Sequence, residues 1–333
     1  MSRKGAMFYV GMGVSLGFIL YAAAKLDFHK AFEVMLWIHS AWLIPYAAIF
    51  FASFYVRAIR LRYITLPLKP VPVGSFVSSV AIGFMGNMVF PLRLGELMRV
   101  YVTAKKENLS KSSVLATIVV ERVFDLFSLV ALLVITLMIA RPAGVSPRTL
   151  GTLQGVGATV AAVTAAAAVF LYFLSRNGSA INGLINRIFG LMPALASGKG
   201  QSLMDSFRSG LQVLGHGGHL GSVLFHSCTL WAVNVAVFLL ALPLFGLAPS
   251  LEIACVMTVF VSVGIALPSS PGFIGPFHAA IVFALGLYGV DVNTALGVAI
   301  FVHMFTFSGT VILGIYFAWK EKIGFAELRG VKI

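Results

Sequence analysis

Between residues 209 and 319 the chain carries no lysine or arginine, and its only acidic residues there are Glu252 and Asp291. Soluble domains contain about 25% charged residues, so a stretch this long without basic residues cannot form an ordinary soluble surface. Runs of about 20 apolar residues, the length that a helix needs to cross a bilayer, occur here and elsewhere. The 333-residue chain is 59% hydrophobic and 11% charged. We therefore predict an all-α integral membrane protein.

Six segments are apolar over the full length of a membrane span. They are residues 6–24, 41–59, 112–140, 153–175, 221–245 and 293–319. The first follows Arg3 and Lys4 and exceeds the roughly 7–15-residue core of a cleaved signal peptide. We predict that it is an uncleaved first span.

Two further hydrophobic segments are interrupted. Residues 73–98 contain Asn87 and Pro91, and residues 253–290 contain the sequence PSSPGFIGP. Each half of about 15 residues would reach about 22 Å, short of a hydrocarbon core of about 30 Å. Broken helices at membrane depth are tolerated where they pack inside protein or line a polar cavity. Both segments are predicted to be re-entrant hairpins.

The distribution of basic residues favours this topology. If both hairpins re-enter, most of the 24 lysines and arginines fall on the side of the N-terminus, which the positive-inside rule identifies as the cytoplasm. Lys25, Lys30, Arg141 and Arg148 then fall outside, and both termini are cytoplasmic. The hairpins enter from opposite faces, which is typical of an inverted repeat whose substrate site lies where the half-helices meet.

The chain is predicted to form one polytopic domain. Its parts are a first half (1–175), a cytoplasmic amphipathic segment (176–219), a second half (220–319) and a basic cytoplasmic tail (320–333). In the amphipathic segment an apolar stripe predicts a helix on the membrane interface; its residues are Leu203, Phe207, Leu211 and Leu214. The following HGGH sequence, 216–219, indicates a flexible linker rather than a metal site, and Cys228 and Cys255 are interpreted as small buried hydrophobic residues.

The net charge of +13 is interpreted as orientation and as contact with anionic lipid headgroups at the cytoplasmic face, rather than nucleic-acid binding. No metal and no cofactor is predicted.

Arg93, Glu96 and Arg99 follow the break in the first hairpin at intervals of three residues. This spacing keeps them within about 120° of one another on a helix. They are either the solvated start of a cytoplasmic helix or charged groups still at membrane depth.

Glu121, Arg122 and Asp125 lie roughly ten residues inside an otherwise apolar span. Each charge costs about 2.5–3.5 kcal/mol near the centre of a membrane helix. Such groups mark a substrate pathway or form a structural ion cluster that braces the bundle. Together the two groups contain three arginines and three acids, a balanced set that could open around a charged headgroup.

The second hairpin offers uncharged donors. Its prolines and glycines, Pro268, Pro271, Gly272 and Gly275, break the helix, and Ser269 and Ser270 could contact an anion. The alternative is a tight turn packed for shape alone. His226, His278 and His303 are interpreted as hydrogen-bonded interior histidines rather than proton carriers.

These motifs resemble those of a known family. The set Asn87, Pro91, Arg93, Gly95, Glu96 and Arg99, followed by Glu121, Arg122 and Asp125 and then by Pro268, Pro271, Gly272 and Gly275, resembles the lysylphosphatidylglycerol synthase transmembrane family. The resemblance implies a flippase-like protein of the bacterial inner membrane. In two-part members this region precedes a soluble aminoacyl transferase. The chain stops at Ile333, so lysyl transfer is not implied, and the lipid stays open.

We therefore expect a translocator of a phospholipid, glycolipid or polyprenyl-linked lipid and, in the absence of a catalytic motif, no enzyme. In this hypothesis Arg93 and Arg99 bind the lipid phosphate, and Glu96, Glu121 and Asp125 hold those arginines, with Arg122, when no lipid is present. The alternatives are an intramembrane lipid-modifying enzyme that uses Glu121 or Asp125, and a scaffold for a membrane glycosyltransferase. Membrane lipid and a lipid-biosynthetic enzyme are the expected partners.

Overall fold

The computed structural model describes residues 28–36, 38–90, 93–139, 147–175, 198–215, 217–266, 271–324 and 327. Within these ranges all regular secondary structure is helical. The α-helices are α1 (Phe28–Leu36), α2 (Leu43–Thr65), α3 (Val73–Val89), α4 (Gly95–Glu107), α5 (Lys111–Ile139), α6 (Pro147–Ser175), α7 (Gly198–Gly210), α8 (Gly217–Leu244), α9 (Leu251–Ala266), α10 (Pro276–Gly286) and α11 (Val292–Lys320). Short 3₁₀ helices cover Ser40–Trp42, Gln212–Gly215 and Pro271–Phe273.

The prediction of a helical membrane protein is confirmed. Among the described residues, four helical segments are long and apolar enough to cross a bilayer; they are Ser40–Thr65, Lys111–Ile139, Gly218–Leu244 and Val292–Lys320. Large apolar side chains on them face outward, among them Ile44 at 78% exposure and Met138 at 75%. Contact with lipid tails is favourable for such side chains, whereas contact with water is unfavourable. The predicted span 153–175 lies within the 29-residue helix α6, and the predicted span 6–24 lies outside the described residues.

The first interrupted segment forms a close antiparallel pair, α3 and α4. Near the break, a Cβ atom at Gly83 would overlap the side chain of Arg99 and lie 2.9 Å from the carbonyl oxygen of Gly95. At the other end, Lys106 Nζ donates to Ser78 Oγ across 3.3 Å. The second helix of the pair runs to Glu107 instead of ending at residue 98 as predicted. Polar side chains after residue 98 form hydrogen bonds with neighbouring helices, so the helix continues there.

The second interrupted segment is also an antiparallel helix pair, formed by α9 and α10. Close to the break, a Cβ at Gly264 would lie 3.0 Å from the carbonyl oxygen of Pro276. At the open end, Tyr288 Oη donates to Glu252 Oε1 at 2.9 Å. The predicted bounds 253–290 therefore match a real helical hairpin.

The tips of the two hairpins contact each other. The Arg93 side chain donates to the carbonyl oxygen of Ile265, and its guanidinium carbon lies 5.4 Å from the centroid of the Phe273 ring. Both Arg93 (φ +54°) and Phe273 (φ +59°) have left-handed backbone conformations, which are uncommon for residues with side chains and cluster at functional sites. The expected meeting of the two breaks is thus present.

The segment between the two halves packs against the bundle. Phe207, Leu211 and Leu214 of the predicted stripe contribute to a hydrophobic cluster with residues of α5 and α6, so they pack against the bundle. Leu203, predicted on the same stripe, is instead 52% exposed, because α7 contacts the bundle through its C-terminal half. Ser113 of α5 donates to the carbonyl oxygen of Ser206 at 2.6 Å.

Two further predictions need correction. Helix α8 begins at Gly217, so His219 and the two glycines of the HGGH sequence are helical rather than part of a linker. Cys228 is exposed, whereas Cys255 is buried as predicted. Cys228 lies on the outward face of an apolar helix, where lipid rather than protein can cover it.

Candidate functional site: a charged cluster between the hairpins

Glu121 is the centre of an ion-pair cluster inside the bundle. Its side chain is 0% exposed, and its Oε1 accepts from Arg60 at 2.8 Å and from Arg122 at 3.0 Å. Its Oε2 accepts from Arg99 at 2.6 Å. Three guanidinium groups on one buried carboxylate satisfy it fully, as a charge removed from water requires.

Arg60 is a member of this cluster that the sequence did not reveal. It looked like a loop charge because the predicted span ended at residue 59, but α2 continues to Thr65 and buries Arg60 completely. Its Nη1 also donates to Asp125 Oδ1 at 2.6 Å and to Ser227 Oγ at 3.4 Å. The apolar residues Leu61 and Ile64, both buried, were the available signal that the helix continues.

Arg60, Glu121 and Arg99 form what we call the buried base, because each is at most 1% exposed. The spacing of Arg93, Glu96 and Arg99 did not decide whether Arg99 is solvated or lies at membrane depth. The structure places this side chain inside the protein, where it also donates to Glu96 Oε2 at 3.2 Å.

The remaining charged residues line the accessible side of the base. Arg122 is 41% exposed, Glu96 26% and Asp125 16%. Arg122 bridges the two carboxylates, with Nη2 at 3.1 Å from Asp125 Oδ2 and Nη1 at 4.0 Å from Glu96 Oε1. The cluster therefore has a buried side and a side that a ligand can reach.

Two more arginines extend this accessible row. Arg57 is half-buried and interacts electrostatically with Asp125, while exposed Arg93 interacts electrostatically with Glu96. The row Arg57, Asp125, Arg122, Glu96 and Arg93 alternates in charge, and we call it the charged arc. Arg93 lies before α4 begins at Gly95, so it does not share a helical face with Glu96 and Arg99 as predicted.

The end arginines have uncharged partners. Arg57 Nη2 donates to Asn234 Oδ1 at 3.2 Å, and its guanidinium carbon lies 4.9 Å from the centroid of the Phe84 ring. Arg93 is held by the Ile265 carbonyl and the Phe273 ring. Carbonyl oxygens and rings orient a guanidinium group without neutralising it.

Each arginine that contacts Glu121 also has an unused donor. The Nε atoms of Arg60, Arg99 and Arg122 are buried and have no hydrogen-bond partner within the part of the chain that the structure describes. An unpaired buried donor is costly. The cluster therefore has hydrogen-bonding capacity that the described residues do not use.

The second hairpin contributes a turn with a left-handed glycine to the same region. Gly272 has φ +72°, and its carbonyl oxygen accepts from His303 Nε2 at 2.7 Å. His303 is 7% exposed, which agrees with its interpretation as a hydrogen-bonded interior histidine. His226 is bonded likewise through Nδ1 to the carbonyl oxygen of Ser222 at 2.7 Å.

Some of the other predicted site residues are described by the structure, and the rest are not. Asn87 lies at the tip of α3 with a buried Oδ1 close to Gly95, and Gly95, predicted as a break, is the first residue of α4 and allows close approach to α3. Gly275 precedes α10 with φ +103°, and Pro271 opens a 3₁₀ turn. Pro91, Pro268, Ser269 and Ser270 lie outside the described residues.

In the described ranges, no group of three His, Cys, Asp or Glu side chains could hold a metal ion. The main polar contacts observed in the site are arginine–carboxylate pairs.

Long apolar helices, two broken hairpins with touching tips and an internal arginine–carboxylate cluster define a multi-pass membrane protein with a polar site inside its helical bundle. The chain belongs to the family described as the lysylphosphatidylglycerol synthase TM region, which matches residues 8–314. The family resemblance of the sequence motifs is therefore confirmed.

The chain is similar to two named proteins. The chain is 29% identical over 293 residues to a protein named glycosyltransferase AglD of Haloferax volcanii, covering 81% of this chain and 47% of that protein. It is 24% identical over 233 residues to UPF0104 membrane protein MJ1078 of Methanocaldococcus jannaschii, covering 68% of this chain and 90% of that protein. The chain thus spans about half the length of AglD and nearly the whole of the second relative. No solved structure matches it.

Proposed function

We propose that the protein translocates a membrane lipid between leaflets, with the headgroup passing along the charged arc while the acyl or prenyl tails stay in the bilayer. The observation that carries this proposal is the graded burial of the cluster. Its base is at most 1% exposed, whereas Arg122, at 41%, lies on the accessible side. A purely structural brace gains nothing from a half-exposed arginine beside apolar spans, since charges at membrane depth usually mark a pathway.

The proposed topology follows the sequence analysis. Six spans and two re-entrant hairpins form an inverted repeat in the inner membrane, with both termini in the cytoplasm. The contact between Arg93 and Phe273 supports this arrangement, because a lipid pathway between two re-entrant hairpins must pass their tips.

We assign the roles within the site differently from the hypothesis based on the sequence. Arg99, previously expected to bind phosphate, belongs to the buried base and holds Glu121. We assign phosphate binding to arginines of the arc, because a guanidinium group bonds two phosphate oxygens at once and stays charged in apolar surroundings. Glu96 and Asp125 pair with Arg122 until the phosphate replaces them.

A transport assay tests the proposal. The purified protein is reconstituted into vesicles containing fluorescent phosphatidic acid, phosphatidylglycerol or phosphatidylethanolamine, and dithionite quenching measures the label in the outer leaflet. We expect wild type to accelerate exchange of at least one lipid over protein-free vesicles. Arg93→Lys keeps the charge but loses the paired N–H donors of the guanidinium group. This variant and Asp125→Asn should each slow exchange roughly 10- to 100-fold, which corresponds to the loss of one charge-assisted hydrogen bond.

Arg62→Lys is the matched control, because Arg62 is exposed on α2 two residues from Arg60. It should leave transport unchanged. Wild-type rates in both site variants, or no acceleration by wild type, would contradict the proposal.

A second candidate function rests on the size of one relative. Only 47% of the protein named glycosyltransferase AglD aligns with this chain, so we propose as the alternative a scaffold for a membrane glycosyltransferase. In that case the variants above should leave lipid exchange unchanged and reduce co-purification of the transferase. A further alternative is an intramembrane lipid-modifying enzyme, which needs access to the cluster from one leaflet only. Labelling of the cluster from each side of the membrane distinguishes this enzyme from a translocator.

A further inference from the structure

The charged cluster is not neutral. Its described members are five arginines (Arg57, Arg60, Arg93, Arg99 and Arg122) and three acids (Glu96, Glu121 and Asp125). The formal charge of this set is therefore +2. The balanced set expected from the sequence counted Arg93, Arg99 and Arg122 but neither Arg57 nor Arg60.

The excess charge is located at the two ends of the charged arc. Arg60 and Arg99 donate to Glu121, and Arg122 bridges Asp125 and Glu96. Arg57 and Arg93 donate to an amide oxygen and a backbone carbonyl oxygen, which carry no formal charge.

The two end arginines are also held in place. Each guanidinium group lies over an aromatic ring, Phe84 for Arg57 and Phe273 for Arg93. A ring face covers the plane of the group and leaves its N–H edge free to donate. Both arginines also experience electrostatic repulsion from Arg122, which a bound anion would relieve.

We propose that the charged arc, with Arg57 and Arg93 at its ends, recognises a lipid headgroup that carries about two negative charges, as in phosphomonoester and diphosphate lipids. This inference rests on the proposed function and names its substrate class. A phosphomonoester carries about −1.5 to −2 charges at neutral pH, which offsets the +2 of the cluster. A zwitterionic headgroup would leave that charge in place and bring an ammonium group toward arginines.

The test measures binding separately from transport. Native mass spectrometry of the purified protein, titrated with phosphatidic acid, phosphatidylglycerol or phosphatidylethanolamine in the same detergent, gives an apparent Kd for each lipid. We expect phosphatidic acid to bind at least tenfold more tightly than phosphatidylethanolamine, with phosphatidylglycerol between them. Arg57→Gln and Arg93→Gln should each weaken phosphatidic acid binding about tenfold and weaken phosphatidylethanolamine binding by a clearly smaller factor, because its phosphodiester carries a single negative charge.

Arg62→Gln is the control for the loss of one positive charge near the site. Free inorganic phosphate separates a lipid site from a general phosphate site. Lipid recognition predicts that millimolar phosphate does not displace phosphatidic acid, whereas displacement would show that the pair binds phosphate without regard to the lipid and would overturn the assignment.

Equal affinity for the three lipids, or equal losses in Arg62→Gln and the two site variants, would overturn the inference. Transport of phosphatidylethanolamine without preferential binding of phosphatidic acid would overturn it and leave the proposed function standing. Selective binding without any transport would uphold the inference and contradict the proposed function.

Discussion

Arg60→Gln tests the role of the buried base. The wild-type side chain is 0% exposed and connects two carboxylates, with Nη2 at 2.8 Å from Glu121 and Nη1 at 2.6 Å from Asp125. Removing one partner of a buried ion pair costs about 3–5 kcal/mol because the remaining charge is left in a poorly solvated place. Glu121 keeps Arg99 and Arg122, so we expect a loss near the lower end, about 3 kcal/mol.

The measurement is reversible unfolding in mixed micelles with increasing dodecyl sulfate, followed by far-ultraviolet circular dichroism. Arg62→Gln, two residues away on the same helix and exposed, should change the free energy of unfolding by less than about 0.5 kcal/mol. Arg60→Lys keeps the charge but has all three donors on one nitrogen, so it cannot reproduce the separate contacts of Nη1 and Nη2, and it should fall between the two. A difference below about 0.5 kcal/mol between Arg60→Gln and Arg62→Gln would refute the reasoning.

Two glycine substitutions probe the hairpins. Gly83→Val would place its side chain against Arg99 and the Gly95 carbonyl, and it should lower the free energy of unfolding by at least about 2 kcal/mol in the same assay. Gly74→Val is the control on the same helix, with nothing within 4 Å, and it should be neutral. Equal effects of the two variants would contradict the packing argument. Gly272→Val adds left-handed strain of about 1–2 kcal/mol and contact with the ring of Phe307, at 3.2 Å, so lipid exchange should be lost. Gly289→Val, with φ +73° and open space, adds the strain alone and should keep exchange in the vesicle assay; exchange lost in both would show that strain, not the hairpin contact, matters.

The sequence predicted the helical membrane fold and both hairpins, because apolar length and the positions of proline and glycine are local signals. It also identified Glu121, Arg122 and Asp125, since charged residues inside an apolar run stand out. It did not identify Arg60, whose burial depends on carboxylates 61 and 65 residues further along the chain. That pairing arises only when α2 packs against α5.

The position of Arg93 shows a second limit of local reasoning. Spacing by three predicts one helical face only if the helix is already formed, but α4 begins at Gly95 and Arg93 has a left-handed backbone. Its partners Ile265 and Phe273 lie in the other hairpin. No pattern within the first hairpin could reveal them.

The central claim is that the charged arc is reached from both leaflets. Glu96→Cys, in a background with Cys228 and Cys255 changed to serine, is reconstituted and treated with a membrane-impermeant thiol reagent from one side or the other. The account predicts modification from both sides, with lipid phosphate slowing it, while Arg62→Cys reacts from the cytoplasmic side only. Modification of Glu96→Cys from a single side, whatever the lipid present, would contradict translocation through this site.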